Sequence, residues 1–279
     1  MTEFITKDNK VIPINNSKNL SSDQLHIGTV GISSSNTVDA SQILKQKEIG
    51  LEDLKKTIET RVDDKLDPKY ALVIANTYED LQHDPDDPEV RQAYNAFIND
   101  TLHQARILQK NGMQFDPKGS QDRCMNFGIE CGQDGNYENS GELIKDVENN
   151  NHIFYRKSDN DYVGVEDHPM FKVVDIRNVD GEPMRANDVF RAVHDINGHV
   201  KGRVPFTPEG EIKAFLEHKK MYSAEGIKAL FTETQGQGSW VNFNKNSGIE
   251  NRHFQKSGEL DRIKFPAQKA VVYPEGIIF

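Results

Sequence analysis

Apolar positions recur at helical intervals in several stretches of the chain. Leu51, Leu54, Ile58 and Val62 predict an amphipathic helix over 50–63. Val90, Tyr94, Phe97, Ile98, Leu102 and Ala105 form one face of a longer helix over 88–110. Asp87-Pro88-Glu89 supplies its start, an N-cap followed by proline at the first helical position, and Asn111-Gly112 its end. The helical period returns from about 187. Val189, Ala192, Val193 and Ile196 share one stripe of a helix over 187–199. Further helices follow around 208–220 and 223–235, the second with Ile227, Leu230 and Phe231 turned inward. Between these groups, His152–Arg156, Asp161–Val165 and Phe171–Ile176 read as short antiparallel strands separated by Gly, Asn and Asp, and 269–279 as short β-like pieces. The class is α+β, a mainly helical core with short strands.

Aromatic residues divide the chain more sharply than total hydrophobicity does. After Phe4 none occurs until Tyr70, and 15–42 is rich in Ser, Asn, Asp and Thr. Residues 1–69 therefore read as a polar, extended N-terminal arm with one amphipathic helix, able to reach a second copy of the chain or a virion component. Residues 70–279 read as a single α+β domain. Of the 279 residues 35% are hydrophobic, and no run approaches the roughly 18–20 apolar residues of a membrane span. The N-terminus has no basic segment leading into an apolar one, so a cytoplasmic protein is expected. The net charge of −10 falls mostly on 70–279 and argues against nucleic acid as a partner. Cys124 and Cys131 are the only cysteines. Seven residues apart they match no zinc motif and read as reduced thiols. The acidic run over 79–89 lacks calcium-loop spacing and reads as a solvated turn before a helix.

The chemistry concentrates in 187–242. His194 and His199 stand five residues apart, about 140° apart on an ideal helix. Gly198 between them could adopt a left-handed conformation and swing His199 back toward His194. Paired neutral imidazoles are good transition-metal ligands. Two carboxylates could complete the set. Glu211 opens the 208–220 helix, and Glu233 lies beside the apolar face of the 223–235 helix, where an unpaired charge would need a partner. Glu211 also has a reading as a catalytic group together with His218, which lies seven residues on along the same face and could relay protons or add a ligand. Asp195 reads as a carboxylate that orients an imidazole. Gln235, Gln237, Ser239, Trp240 and Asn242 are candidates to line a pocket for a small-molecule substrate. His83, His103, His152, His168 and His253 show no partner in the pattern.

The run His194-Asp195-Ile196-Asn197-Gly198-His199-Val200 resembles the iron-binding segment of the pterin-dependent aromatic amino acid hydroxylases. There both histidines bind Fe(II), and a glutamate after a Trp-Phe-Thr-Val-Glu-like run is the third ligand. Phe231-Thr232-Glu233 is similar with one residue fewer, so the resemblance implies His194, His199 and Glu233 as ligands. Lys201 stands where that family has proline, and its pterin-contacting segments have no counterpart here. A wider pattern, from Asn187-Asp188-Val189-Phe190-Arg191 through Gly210-Glu211 and Met221-Tyr222-Ser223 to Ser239-Trp240-Val241-Asn242, resembles proteins of bacteriophages and mobile elements. That implies a phage setting and no particular activity. Two histidines and one carboxylate leave three open positions on an octahedral ion and mark mononuclear non-haem Fe(II) oxygenases and hydroxylases. The same ligands could hold Zn(II) or Mn(II), with Zn(II) favouring hydrolysis. A phage accessory protein with a purely structural metal is the reading from another class.

Overall fold

The computed structural model describes residues 3–5, 11–13, 67–117, 121–132, 136–158, 165–247 and 265–278. The expected helix over 50–63, most of the N-terminal arm and His253 lie outside them. Met1–Val38 and Asp39–Phe279 are separate compact units. Of the first, the backbone forms an antiparallel hairpin, β1 (Glu3–Ile5) with β2 (Val11–Pro13).

The second unit is α+β with a mainly helical core. Helices α1 (Pro68–Asp80) and α2 (Pro88–Lys110) start alike, each with an aspartate N-cap and proline in the first turn. Asp67 and Asp87 each accept two backbone N–H groups that no helical carbonyl can reach. The far end of α1 is closed from a distance. Lys269 Nζ donates to the carbonyls of Tyr78, Glu79 and Leu81 at 2.9, 3.0 and 2.9 Å. The C-terminal segment is thereby fastened down, but among the described residues it forms no strand. Ala270, Val271, Tyr273 and Ile277 are instead buried in the helical core.

The two further sheets have two strands each, β3 (Gln114–Pro117) with β4 (His152–Tyr155) and β5 (Val173–Arg177) with β6 (Pro183–Arg185). The second is antiparallel, as expected. The first runs parallel, because the chain returns through helices α3 (Gln121–Asn126) and α4 (Ser140–Asn150) rather than a hairpin. Cys124 and Cys131 are not free thiols. A turn at Gly128, with φ of +66°, folds the chain back so that their Cα atoms lie 6.1 Å apart, and the two form a disulfide.

Beyond β6 come α5 (Ala186–His194), α6 (Pro208–His218), α7 (Ala224–Phe231) and α8 (Gln237–Phe243). One core joins α1, α2, α7, α8 and the C-terminal segment around Tyr78, Tyr94, Phe97, Phe231 and Trp240. A second joins α2, α4, α5 and the parallel strands around Phe115, Leu143, Ile153 and Val193. Phe97 ties α2 to α5, its ring 4.9 Å from Phe190 and 5.4 Å from Tyr222. Burying such a ring contributes on the order of 1.5–3 kcal/mol.

The entry to α6 is sterically tight. A Cβ on Gly210 would lie 1.8 Å from the Pro205 carbonyl oxygen. Gly210→Ala should therefore displace backbone and cost about 3 kcal/mol or more, read as a lower denaturation midpoint at unchanged m. A variant with the parent's midpoint would show that the α6 entry adapts freely.

Candidate metal centre

Helix α5 does not stop at His194. It runs into a π-helical segment, Asp195–Val200, whose i to i+5 hydrogen bonding stacks residues five apart. His194 and His199 thus come onto one face without the expected left-handed glycine. Gly198 has a helical conformation and serves a different purpose. A Cβ there would sit 3.0 Å from the Ala214 carbonyl oxygen, so its absence lets the π segment press against α6. The two imidazoles are 5.4 Å apart and nearly perpendicular.

That close packing brings in Glu211, from the first turn of α6. His199 Nε2 is 3.3 Å from Glu211 Oε1, and His194 Nε2 is 3.8 Å from Oε2. Donor atoms about 2.1 Å from a common tetrahedral ion are about 3.4 Å apart, so the three groups fit a metal. They are the cluster of metal-ligand type among the described residues. His199 Nδ1 faces the Val204 carbonyl at 3.3 Å. A carbonyl only accepts, so Nδ1 carries the hydrogen and Nε2 presents its lone pair. His194 Nε2 is buried without a hydrogen-bond partner, an arrangement that costs free energy unless something else occupies that lone pair. Burial pushes the Glu211 carboxyl up, but when the two imidazoles are protonated on the side facing it they outweigh burial and hold it down at about 2. His199 is raised, its own burial being outweighed chiefly by Glu211.

Glu233, expected as the third ligand, is not in this cluster. It lies in a second π segment, Thr232–Gly236, between α7 and α8. Tyr94 Oη donates to its Oε1 at 2.6 Å and Gln237 Nε2 to its Oε2 at 2.9 Å. His168 Nε2 is 3.7 Å from Oε1. Burial dominates and pushes this carboxyl up to about 7.

His218, from the end of α6, is fully buried behind His194 rather than facing the metal position. The two Nδ1 atoms are 3.0 Å apart. Burial, then the neighbouring His194, puts the His218 pKa well below the ordinary histidine value.

A cavity of about 860 Å³ opens beside the cluster, lined by His194 and Glu211 and also by Glu233, Thr234 and Gln237. Phe154, Phe190, Phe206 and Phe265 give it apolar surface, and Arg156 and Arg191 positive charge. Of the residues expected to line a pocket, Gln237 and Asn242 do so. Trp240 does not; its ring is in the helical core and its Nε1–H bonds the Glu79 carboxylate. Gln235 lies outside this cavity, its amide donating to the Glu211 carbonyl at 3.1 Å.

The sequence pattern also gave no sign of a second polar cluster. His152, on β4, is fully buried, its Nδ1 2.7 Å from Asp146 and its Nε2 3.2 Å from Asp116. Arg123 and Tyr137 bond the same carboxylates at 2.6 and 2.7 Å. The group pins α4 to the parallel strands beneath the disulfide loop. Comparison with known proteins gives no match to the chain, whether among family models, curated proteins or solved structures.

Proposed function

We propose that this chain is a mononuclear non-haem iron enzyme of the oxygenase or hydroxylase type, with His194, His199 and Glu211 holding Fe(II). The observation that carries the reading is His194 Nε2, a buried nitrogen with no hydrogen-bond partner facing Glu211. Two neutral imidazoles and one carboxylate on adjoining helices make the donor set of non-haem Fe(II) sites. The cavity of about 860 Å³ is within the size range of small-molecule sites, so it is the place for substrate.

Bound there, the iron would supply dioxygen activation, with a reducing cosubstrate supplying electrons. The chain's own residues do the rest. The Val204 carbonyl fixes the His199 ring through its Nδ1–H. The four phenylalanines along the cavity favour an apolar body on the ligand. Arg156 and Arg191 favour an anionic group on the ligand. Glu233, with a pKa of about 7, holds or releases a proton in the same cavity.

Anaerobic loading followed by metal analysis tests the reading. One equivalent of Fe(II) per chain is expected, with loss in His194→Ala. Wild-type protein that retains no iron, manganese or zinc would overturn it. Zinc loading with no oxygen consumption would favour hydrolysis instead. Chelation separates a structural metal, whose removal should unfold the domain, from a catalytic one, whose removal should leave it folded.

A further inference from the structure

A chain of side chains runs from the middle of α2 to the metal position, and its hydrogen-bond polarity can be read in one direction only. It starts at Gln104, which is buried. Gln104 Nε2 donates to the Met221 carbonyl at 3.3 Å, which fixes the orientation of the amide. Oε1 then faces two groups, Asn197 Nδ2 at 2.8 Å and His218 Nε2 at 2.9 Å. An amide oxygen only accepts, so His218 carries its hydrogen on Nε2. A neutral imidazole has one hydrogen, so His218 Nδ1 is an acceptor. The atom facing it at 3.0 Å is His194 Nδ1, which must therefore donate. His194 is left with a bare Nε2, the atom that is buried without a hydrogen-bond partner beside Glu211.

We propose that Gln104 is a positioning residue that fixes the tautomers of His218 and His194 in series, and so aims the His194 lone pair into the metal position. The inference rests on the metal-centre reading above. It extends that reading by making a residue on α2, which touches neither metal nor cavity, a determinant of metal affinity. His218 is the middle of this relay and not a metal ligand or a proton carrier for substrate. The packing around it suits that role. The His218 ring is fully buried, parallel to Phe190 at 6.5 Å and edge-on to Tyr222 at 4.9 Å. Asn197, one residue before Gly198 in the π segment, shares the Gln104 oxygen. The same acceptor therefore also holds the turn that stacks His199 over His194. Outer partners of metal-bound imidazoles typically contribute about 10–100-fold to affinity.

Two measurements test the relay. Nitrogen-15 spectra of histidine-labelled protein without metal should show His218 hydrogenated on Nε2 and His194 on Nδ1, with a scalar coupling between the two Nδ1 nuclei across the hydrogen bond. His194 hydrogenated on Nε2 would overturn the proposal, whatever happens to the variants. Co(II) titration of the full chain is the second. Gln104→Met removes the acceptor, and Co(II) should bind about 10–100-fold more weakly with an altered visible spectrum. Gln104→Glu keeps an acceptor at the same place and should recover most of the loss, which a merely structural role would not predict. Wild-type protein that binds Co(II) together with a Gln104→Met variant that binds it equally well would overturn the relay and leave the metal centre standing. Wild-type protein that binds no Co(II) would overturn the metal centre itself.

Discussion

Glu211→Ala should lose stoichiometric metal binding, while Glu233→Gln should keep it. The expectation follows from where each carboxylate stands. Glu211 reaches within 3.3 and 3.8 Å of the two imidazole nitrogens that lack other partners on that side. Glu233 has both oxygens engaged by Tyr94 and Gln237 and is outside the His194–His199–Glu211 cluster. Removing a ligand should weaken binding by more than the roughly 10–100-fold that an outer partner contributes. The fold should survive, because the Glu211 side chain is 36% exposed and the imidazoles it leaves behind are stable as neutral rings. Competition against a coloured chelator measures the affinities, and thermal melts confirm folding. Retention of metal by Glu211→Ala with loss in Glu233→Gln would reverse the assignment and return the third ligand to Glu233.

The choice between these glutamates shows how far the sequence carries. Helix α2 is legible to its last residue, because an Asp-Pro start, an apolar stripe and an Asn-Gly end all agree. The same Asp-Pro signal stands at Asp67-Pro68, where α1 begins, so that helix was also within reach. His194 and His199 are visible as a pair from spacing and type alone. What brings them together is not visible, since a π segment arises from packing against α6 and has no period of its own in the sequence. Placing Glu233 beside an apolar face rightly implies burial. Burial does not specify a partner, and the partners turn out to be Tyr94 from α2 and Gln237 one turn on. Trp240 fails for a related reason. Its position near a candidate ligand in sequence puts it on the opposite side of α8, against Glu79 of α1. His152 could not be read at all, because Asp116 reaches it only through the parallel pairing of β3 and β4.

Glu233→Gln should change the pH dependence of stability strongly. The folded protein raises this carboxyl from an ordinary value of 4.5 to about 7, with burial as the leading cause. A raised folded pKa means that the native state binds the proton more tightly than the unfolded chain does. Its stabilising contribution is therefore full below about pH 4.5 and is lost as pH rises through about 7. The loss amounts to about 3 kcal/mol at 1.36 kcal/mol per unit. Glutamine mimics the protonated form at every pH, and in both cases the Gln237 amide must turn its oxygen toward the new donor. Urea denaturation of parent and variant, both with chelator present, should give curves that keep a constant separation below pH 4.5. They should then diverge in favour of the variant by about 3 kcal/mol at pH 8. Titrations of His194, His199 and Glu211 are common to the two proteins and cancel in the difference. Parallel curves across the whole range would show that Glu233 is charged at neutral pH and held so by Tyr94 and Gln237. Divergence would mean that the fold tolerates a destabilising ionisation in the cavity that His194 and Glu211 also line, which is where a group that exchanges a proton with a bound molecule has to be.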